Sequence, residues 1–266
     1  MPAPHPVKLI LDTDIGGGLC KDVDDVGVLC MLNALIDNGE VDLLAIMVNT
    51  PPRQCVGAVS VLQHYYGNDD VPIGAYKGCD DDWCDNSDVH SYVSLLADNW
   101  PSPIKEKSQV PDAKYLYRKI LAAQPDRSVV ISSVGLLTNL ENFMKTGPDE
   151  FSPLDGKALL AKKVRLIGMM AGAYPSGREC NAMGDGPAFA YVTENIPSSI
   201  QVFYLGFEVG VRVNTGARLT SCATDTNPCR QAYIDYLGGP DRARPSWDPL
   251  TTLIAVRGVA REDQTP

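Results

Sequence analysis

The chain has 266 residues, of which 44% are hydrophobic and 21% charged, an ordinary balance for a soluble globular protein with enough length for a substantial core. A formal net charge of −10 argues against nucleic-acid polymers and membrane surfaces as partners. No apolar run reaches the length of a membrane-crossing helix. The start, Met1-Pro2-Ala3-Pro4-His5, lacks the apolar core of a leader peptide, so the cytoplasm is slightly favoured, with secretion left open if a leader has been removed.

In chain order, Val7 to Leu11 is short, β-rich and bounded by glycines, which predicts a buried strand. It runs into Asp12-Thr13-Asp14, the glycines Gly16 to Gly18, and then Asp22-Val23-Asp24-Asp25. From Asp24 the spacing of Val26, Val28, Leu29, Leu32 and Leu35 predicts a helix with acids in its first turn. Four or five carboxylates therefore converge where a strand ends and a helix begins, the place where open α/β sheets bind ligands. Such a cluster repels itself unless a cation or shared protons offset the charge, and a hard, oxygen-seeking ion such as Ca²⁺ or Mg²⁺ resolves it most simply. Read singly, the same acids are only an N-cap (Asp22), helix-dipole partners (Asp24, Asp25) and turn formers (Asp12, Asp14).

Beyond them, Val41 to Val48 reads as a strand, Cys55 to Tyr66 as a helix and Val71 to Gly74 as a short strand. Gly78 to Asn99 is acidic and loop-rich, either a lid or a plain surface insertion. Ala113 to Ala123 reads as helix, Ser128 to Ser133 as buried strand, Leu136 to Met144 as helix and Val164 to Met170 as strand. Phe189 to Val192 belongs to a helix and Ile200 to Leu205 to a strand. The alternation predicts an α/β fold, a single domain over residues 1–266 with a mostly parallel (mixed) sheet flanked by helices.

Three further constellations end strands. Ser133-Val134-Gly135 turns into a helix, where backbone carbonyls can face the sheet's crevice or simply shape a turn. The Gly-rich loop after Met170 offers Glu179 and Asn181, suited to hydroxyl groups or, for one of them, to capping the next helix. Trp247-Asp248-Pro249 precedes an apolar helix, and Asp248 there suits an N-cap with Pro249 at the first helical position. Of eight cysteines, Cys30 falls in an apolar helix pattern and reads as core, while Cys20 lies in the acidic loop. Cys79 with Cys84, and Cys222 with Cys229, are spaced for local disulfides.

Taken together these motifs resemble the inosine-uridine-preferring nucleoside hydrolases: Asp12-x-Asp14, a Gly turn, Asp24-Asp25, Gly135-Leu136-Leu137-Thr138-Asn139, the loop holding Glu179 and Asn181, and Trp247-Asp248-Pro249. The resemblance implies a Rossmann-like nucleoside hydrolase architecture, here shortened at the C-terminus. It implies calcium-dependent hydrolysis of the N-glycosidic bond of a small-molecule nucleoside. Asp14, Asp25 and Asp248 would hold Ca²⁺ with the Val134 carbonyl, and Asp14 would double as general base toward the attacking water. Asp24, Glu179 and Asn181 would bind ribose, Trp247 and Asn49 would contribute to the substrate site, and Asp12 would be the structural acid beneath the loop. The assembly stays open, a homo-oligomer (dimer or tetramer) being compatible.

Two features depart from the family pattern. Gly17-Gly18-Leu19-Cys20-Lys21 looks inserted between the acid pairs, and Trp247 stands where many members carry a His that can protonate the departing base. Two rival readings compete. A haloacid-dehalogenase-type phosphatase would use Asp12 and Asp14 with Ser132 or Ser133, Lys162 and Asp185, but leaves Asp24-Asp25 and Trp247-Asp248-Pro249 unexplained. A non-catalytic calcium or ribosyl-ligand binding protein would share the whole site.

Overall fold

The computed structural model describes residues 5–17, 22–50, 52, 54–78 and 91–259. Among them the strands and helices alternate as β1 (Val7–Thr13), α1 (Asp24–Asp37), β2 (Val41–Val48), α2 (Gln54–Tyr65), β3 (Ile73–Ala75), α3 (Tyr92–Asn99) and α4 (Ala113–Ala122). Then follow β4 (Val129–Ser133), α5 (Thr138–Met144), α6 (Gly156–Lys163), β5 (Val164–Met170), α7 (Cys180–Gly184), α8 (Gly186–Asn195) and β6 (Gln201–Leu205). The last part holds α9 (Phe207–Gly210), β7 (Asn214–Thr215), α10 (Ala217–Cys222), α11 (Pro228–Leu237), β8 (Arg244–Pro245) and α12 (Trp247–Arg257).

Six strands form one sheet in the order β3-β2-β1-β4-β5-β6, every neighbouring pair parallel. The expected antiparallel admixture is confined to a separate ribbon of β7 and β8. Strands buried on both faces read as continuous apolar runs, and the pleat then divides them. Leu9, Leu11 and Val130 pack on one side with α1, α2, α11 and α12; Ile10, Val129 and Ile131 pack on the other with α4, α5, α6 and α8. The strand order reverses between β1 and β4, so their C-terminal ends, Asp12-Thr13 and Ser133, open the crevice where such sheets bind ligands.

Local chemistry sets the helix starts. Asp112 caps α4 through Lys114 N–H at 3.0 Å, Asp155 caps α6 through Ala158 N–H at 2.8 Å, and Asn227 caps α11 ahead of Pro228. At α12 the expectation is corrected: the helix begins at Trp247, with Ser246 at the cap position and Asp248 inside the first turn. The Ser246 hydroxyl makes no cap because it pairs with the Thr215 hydroxyl on the β7–β8 ribbon.

Two cysteine expectations are also corrected. Cys30 is bonded to Cys229, a disulfide spanning 199 residues that ties α1 to α11, and Cys222 is free and exposed. Closeness in sequence did not decide the pairing, because Cys222 ends α10 at the surface whereas Cys229 in α11 turns inward onto α1. Cys180 is disulfide-bonded as well. Cys20, Cys79 and Cys84 lie outside the described residues, as do Gly18 to Lys21 and most of the candidate lid; the end of that lid, Tyr92–Asn99, is the helix α3, packed on α2.

Candidate active site

A cavity of about 240 Å³ opens at the C-terminal ends of the central strands. Five carboxylates (Asp14, Asp22, Asp24, Glu179 and Asp248) line it, together with Val134, Asn181, Phe207, Trp247, Arg178 and Arg244. The fold brings them from distant parts of the chain. Asp14 follows β1, Asp24 and Asp25 open α1, Val134 follows β4, Glu179 and Asn181 begin α7, and Asp248 lies in the first turn of α12.

Two helix N-termini meet here, and one carboxylate joins them. Asp24 Oδ2 accepts the backbone N–H of Trp247 at 2.9 Å and of Asp248 at 3.1 Å, meeting orphan donors of the α12 first turn. Asp25 accepts the Thr13 hydroxyl, which fixes it against the end of β1. Asp22 Oδ2 accepts Arg244 Nη2 at 2.9 Å. Among the described residues, carboxylate oxygens of Asp22, Asp24, Asp25 and Asp248 lie within 4.8 Å of one another. Asp14 is not in that tight group, although it shares the cavity and feels the charges of Asp22 and Asp24.

Burial is the first cause that pushes Asp14, Asp24, Asp25 and Asp248 well above the usual carboxylate range, and the neighbouring acids push further. Arg244 is the cation paired with the group, through Asp22. A donor set made of largely buried, mutually repelling carboxylate oxygens suits a hard divalent cation rather than a soft one.

Asp12 sits behind the cavity, fully buried. Its Oδ1 accepts Asn49 Nδ2 at 2.8 Å and Asn139 Nδ2 at 3.1 Å, and its Oδ2 accepts the Tyr117 hydroxyl at 2.7 Å. Burial pushes its carboxyl up to about 7 against these three bonds. Asp12 thereby locks the end of β1 to the segment after β2, to α4 and to α5. Asn49, a candidate for the substrate site, lies behind with it and outside the cavity lining, its Nδ2 committed to Asp12. Gly135 makes the close approach: a Cβ there would sit 2.6 Å from the Asp14 nitrogen and 2.8 Å from Asn49 Nδ2.

Glu179 and Asn181 reach the cavity, each already engaged. Glu179 caps α7, taking the N–H of Asn181 at 2.7 Å and of Ala182 at 3.0 Å, and also the Gly172 N–H at 2.9 Å. The capping role weighed in the sequence is therefore real, and it coexists with a place on the cavity wall. Asn181 Nδ2 donates to the carbonyls of Val134 and Met170, both at 3.1 Å. The Val134 carbonyl, a candidate cation ligand, retains a second lone pair beside that bond.

Trp247 is only 7% exposed. Its indole N–H donates to the Phe207 carbonyl at 2.8 Å, and its ring stacks on Phe207 with centroids 5.4 Å apart. The Phe207 ring, 45% exposed, is the more open aromatic surface of the wall. Phe207, Arg178 and Arg244 escaped sequence reasoning, because a lone Arg or Phe outside a recognisable motif carries no signal. Asp22 belonged to the acid run read in the sequence, although the cap position of α1 falls on Val23.

The phosphatase alternative does not survive the geometry. Lys162 lies in the last turn of α6, just before the N-terminal end of β5, opposite the edge that carries Asp12 and Asp14. Asp185 caps α8, and Asp12 is buried behind the cavity with both oxygens occupied.

The chain matches the inosine-uridine preferring nucleoside hydrolase family over residues 9–264 and belongs to that family. Solved structures share the fold. The type III effector protein XopQ, complexed with adenosine diphosphate ribose, superposes with a TM-score of 0.76 at 15% identity, over 97% of this chain and 83% of that one. The inosine-uridine preferring nucleoside hydrolase from Bacillus anthracis gives 0.65 at 17% identity, over 94% and 82%. The purine-preferring ribonucleoside hydrolase from Gardnerella vaginalis gives 0.66 at 19% identity, over 94% and 80%. None of the curated proteins compared matches this chain.

Proposed function

We propose that this protein hydrolyses the N-glycosidic bond of a riboside in the carboxylate-lined cavity, with a divalent cation, calcium, held at its acids. The observation that carries the reading is the convergence of Asp14, Asp22, Asp24, Asp25 and Asp248 at the C-terminal edge of a parallel sheet. Family membership supports N-glycosidic hydrolysis as the reaction class. The XopQ structure, with its ribose-containing ligand, supports a ribosyl compound as the kind of molecule the fold accepts.

In this reading Asp25, Asp248 and the Val134 carbonyl hold the cation with Asp14, as the family pattern implies, and Asp22 is a further carboxylate within reach. When bound, the cation supplies positive charge that offsets the acids and acidifies water, so an ordinary carboxylate suffices as base. Asp14 then takes the proton of the attacking water. Asp24, Glu179 and Asn181 bind and orient the sugar hydroxyls, using acceptor positions left beside their backbone bonds. The ribosyl group passes through an oxocarbenium-like state, and the surrounding carboxylates stabilise its positive charge.

Trp247 contributes wall rather than acid: its N–H is committed to the Phe207 carbonyl. That commitment favours a second reading, in which the cavity binds a ribosyl ligand without cleaving it. Reducing-sugar release from a panel of nucleosides, with and without chelator and beside a p-nitrophenyl phosphate control, separates the cases. Chelator-sensitive sugar release supports hydrolysis. Binding without release supports the second reading, and release of p-nitrophenolate overturns both.

A further inference from the structure

The carboxylate-lined cavity also holds two guanidinium groups that cleavage of a neutral nucleoside leaves without a task. Arg244 comes from β8. Its guanidinium carbon lies 5.2 Å from the Trp247 ring and 5.8 Å from the Tyr236 ring, so two aromatic faces restrict the group. Its Nη2 is spent on Asp22, yet its Nε is buried without an acceptor among the described residues. Neutralising Asp22 therefore accounts for only part of the group, and an unmet buried donor is costly. Arg178 lies in the loop between β5 and α7. It is exposed, and its Nε donates to Met183 Sδ at 2.9 Å, a weak acceptor. Among the described residues no acid pairs with it, although Glu179 follows it directly.

Sugar hydroxyls ask for carboxylates and amides, which Asp24, Glu179 and Asn181 already offer. A planar cationic fork matches instead the tetrahedral oxygens of a phosphate. We propose that the site takes ribosyl ligands whose sugar carries a phosphate, with Arg178 and Arg244 recognising that group. This deepens the hydrolase reading above and rests on it. The shared chemistry is a phosphorylated ribose, found both in nucleoside monophosphates and in nucleoside-diphosphate ribose.

Calorimetry of the full-length protein with ribose 5-phosphate, ribose, AMP, adenosine and ADP-ribose tests the inference. Ribose 5-phosphate is expected to bind at least about tenfold more tightly than ribose, since charge-assisted hydrogen bonds exceed that factor. The ratio should fall toward one in Arg178→Gln and in Arg244→Gln, and Arg178→Lys should recover part of it by restoring the charge. Arg244→Gln also breaks the Asp22 pair, so a melting curve must accompany it; Arg178, exposed and outside the Asp22 pair, gives the independent variant. Tighter binding of ADP-ribose than of AMP assigns the diphosphate, the reverse assigns the monoester, and either supports the proposal. Equal affinity for ribose and ribose 5-phosphate, or a ratio unchanged in both glutamine variants, overturns it while leaving the hydrolase reading intact. Failure of every ribosyl ligand to bind overturns both.

Discussion

Asp24 and Asp248, 224 residues apart, are bonded through a single oxygen: Asp24 Oδ2 accepts the Asp248 backbone N–H at 3.1 Å, beside that of Trp247 at 2.9 Å. The bond pins the first turn of α12 to the first turn of α1. It sets the Asp248 carboxylate beside those of Asp24 and Asp25, where burial first, and the charges of Asp24 and Asp25 next, push Asp248 well above the usual carboxylate range. The site is thus built under electrostatic load, and its response to protons and cations follows from that.

Without a cation, the protein should lose stability as pH rises. Asp12, Asp14, Asp24, Asp25 and Asp248 hold their protons to higher pH when folded than when unfolded. Their stabilising protonation is complete below the ordinary carboxylate value of 3.8 and is lost as pH climbs through the folded values, about 7 for Asp12. Tm measured in chelator should therefore fall between about pH 5 and about pH 7.5. Calcium should raise Tm, and by more at the higher pH, where protons no longer compete. A Tm indifferent to calcium across that range would refute the cation site.

The ligand set can be resolved by single substitutions. Asp25→Ala should abolish the calcium-induced rise in Tm, because it removes a central carboxylate of the cluster. Asp22→Asn tests whether the acid paired with Arg244 also serves the cation: a calorimetric Kd within about threefold of the parent would confine the set to Asp14, Asp25, Asp248 and the Val134 carbonyl.

Asp14→Asn should lower kcat by about two orders of magnitude or more, since it keeps an oxygen in place but removes the base. Riboside affinity should change far less. Turnover retained in this variant would move the base to another residue.

Trp247 cannot protonate a departing base, because an indole N–H is a poor acid and this one donates to the Phe207 carbonyl. Hydrolysis should therefore favour substrates whose leaving group needs no proton, and p-nitrophenyl riboside should be cleaved far faster than inosine or uridine. Equal rates would reveal an acid elsewhere in the cavity.

The Cys30–Cys229 disulfide closes a span of 199 residues and ties α1, which carries Asp24 and Asp25, to α11. Cys30→Ser should cost about 2–5 kcal/mol in denaturant unfolding, a long closed loop being worth the most. Reductant, which also opens the disulfide of Cys180, should cost the parent protein more than it costs the variant. Equal unfolding midpoints for parent and variant would show that the link contributes nothing.

The sequence by itself determined the layered architecture and most of the acids. Strands such as Val164–Met170 and Val41–Val48 were legible to the residue, because a central strand buried on both faces reads as a nearly continuous apolar run, broken here only near its start by Arg165 and Asp42. The run from Asp12 to Asp25 announced a charged pocket, because no ordinary surface turn needs so many acids between a buried strand and a helix. Asn49, placed at the substrate site only by the family resemblance, donates its Nδ2 to Asp12 behind the cavity, a contact that its sequence neighbourhood does not announce. Only the tertiary structure decided the rest. The cysteine pairing, the bond from Asp24 to the start of α12, and the arrival of Arg178, Arg244 and Phe207 at the cavity join segments far apart in the chain. Side-chain pattern records which face of an element is buried. It does not record which distant element comes to cover it, because that choice is made by the packing of the whole core.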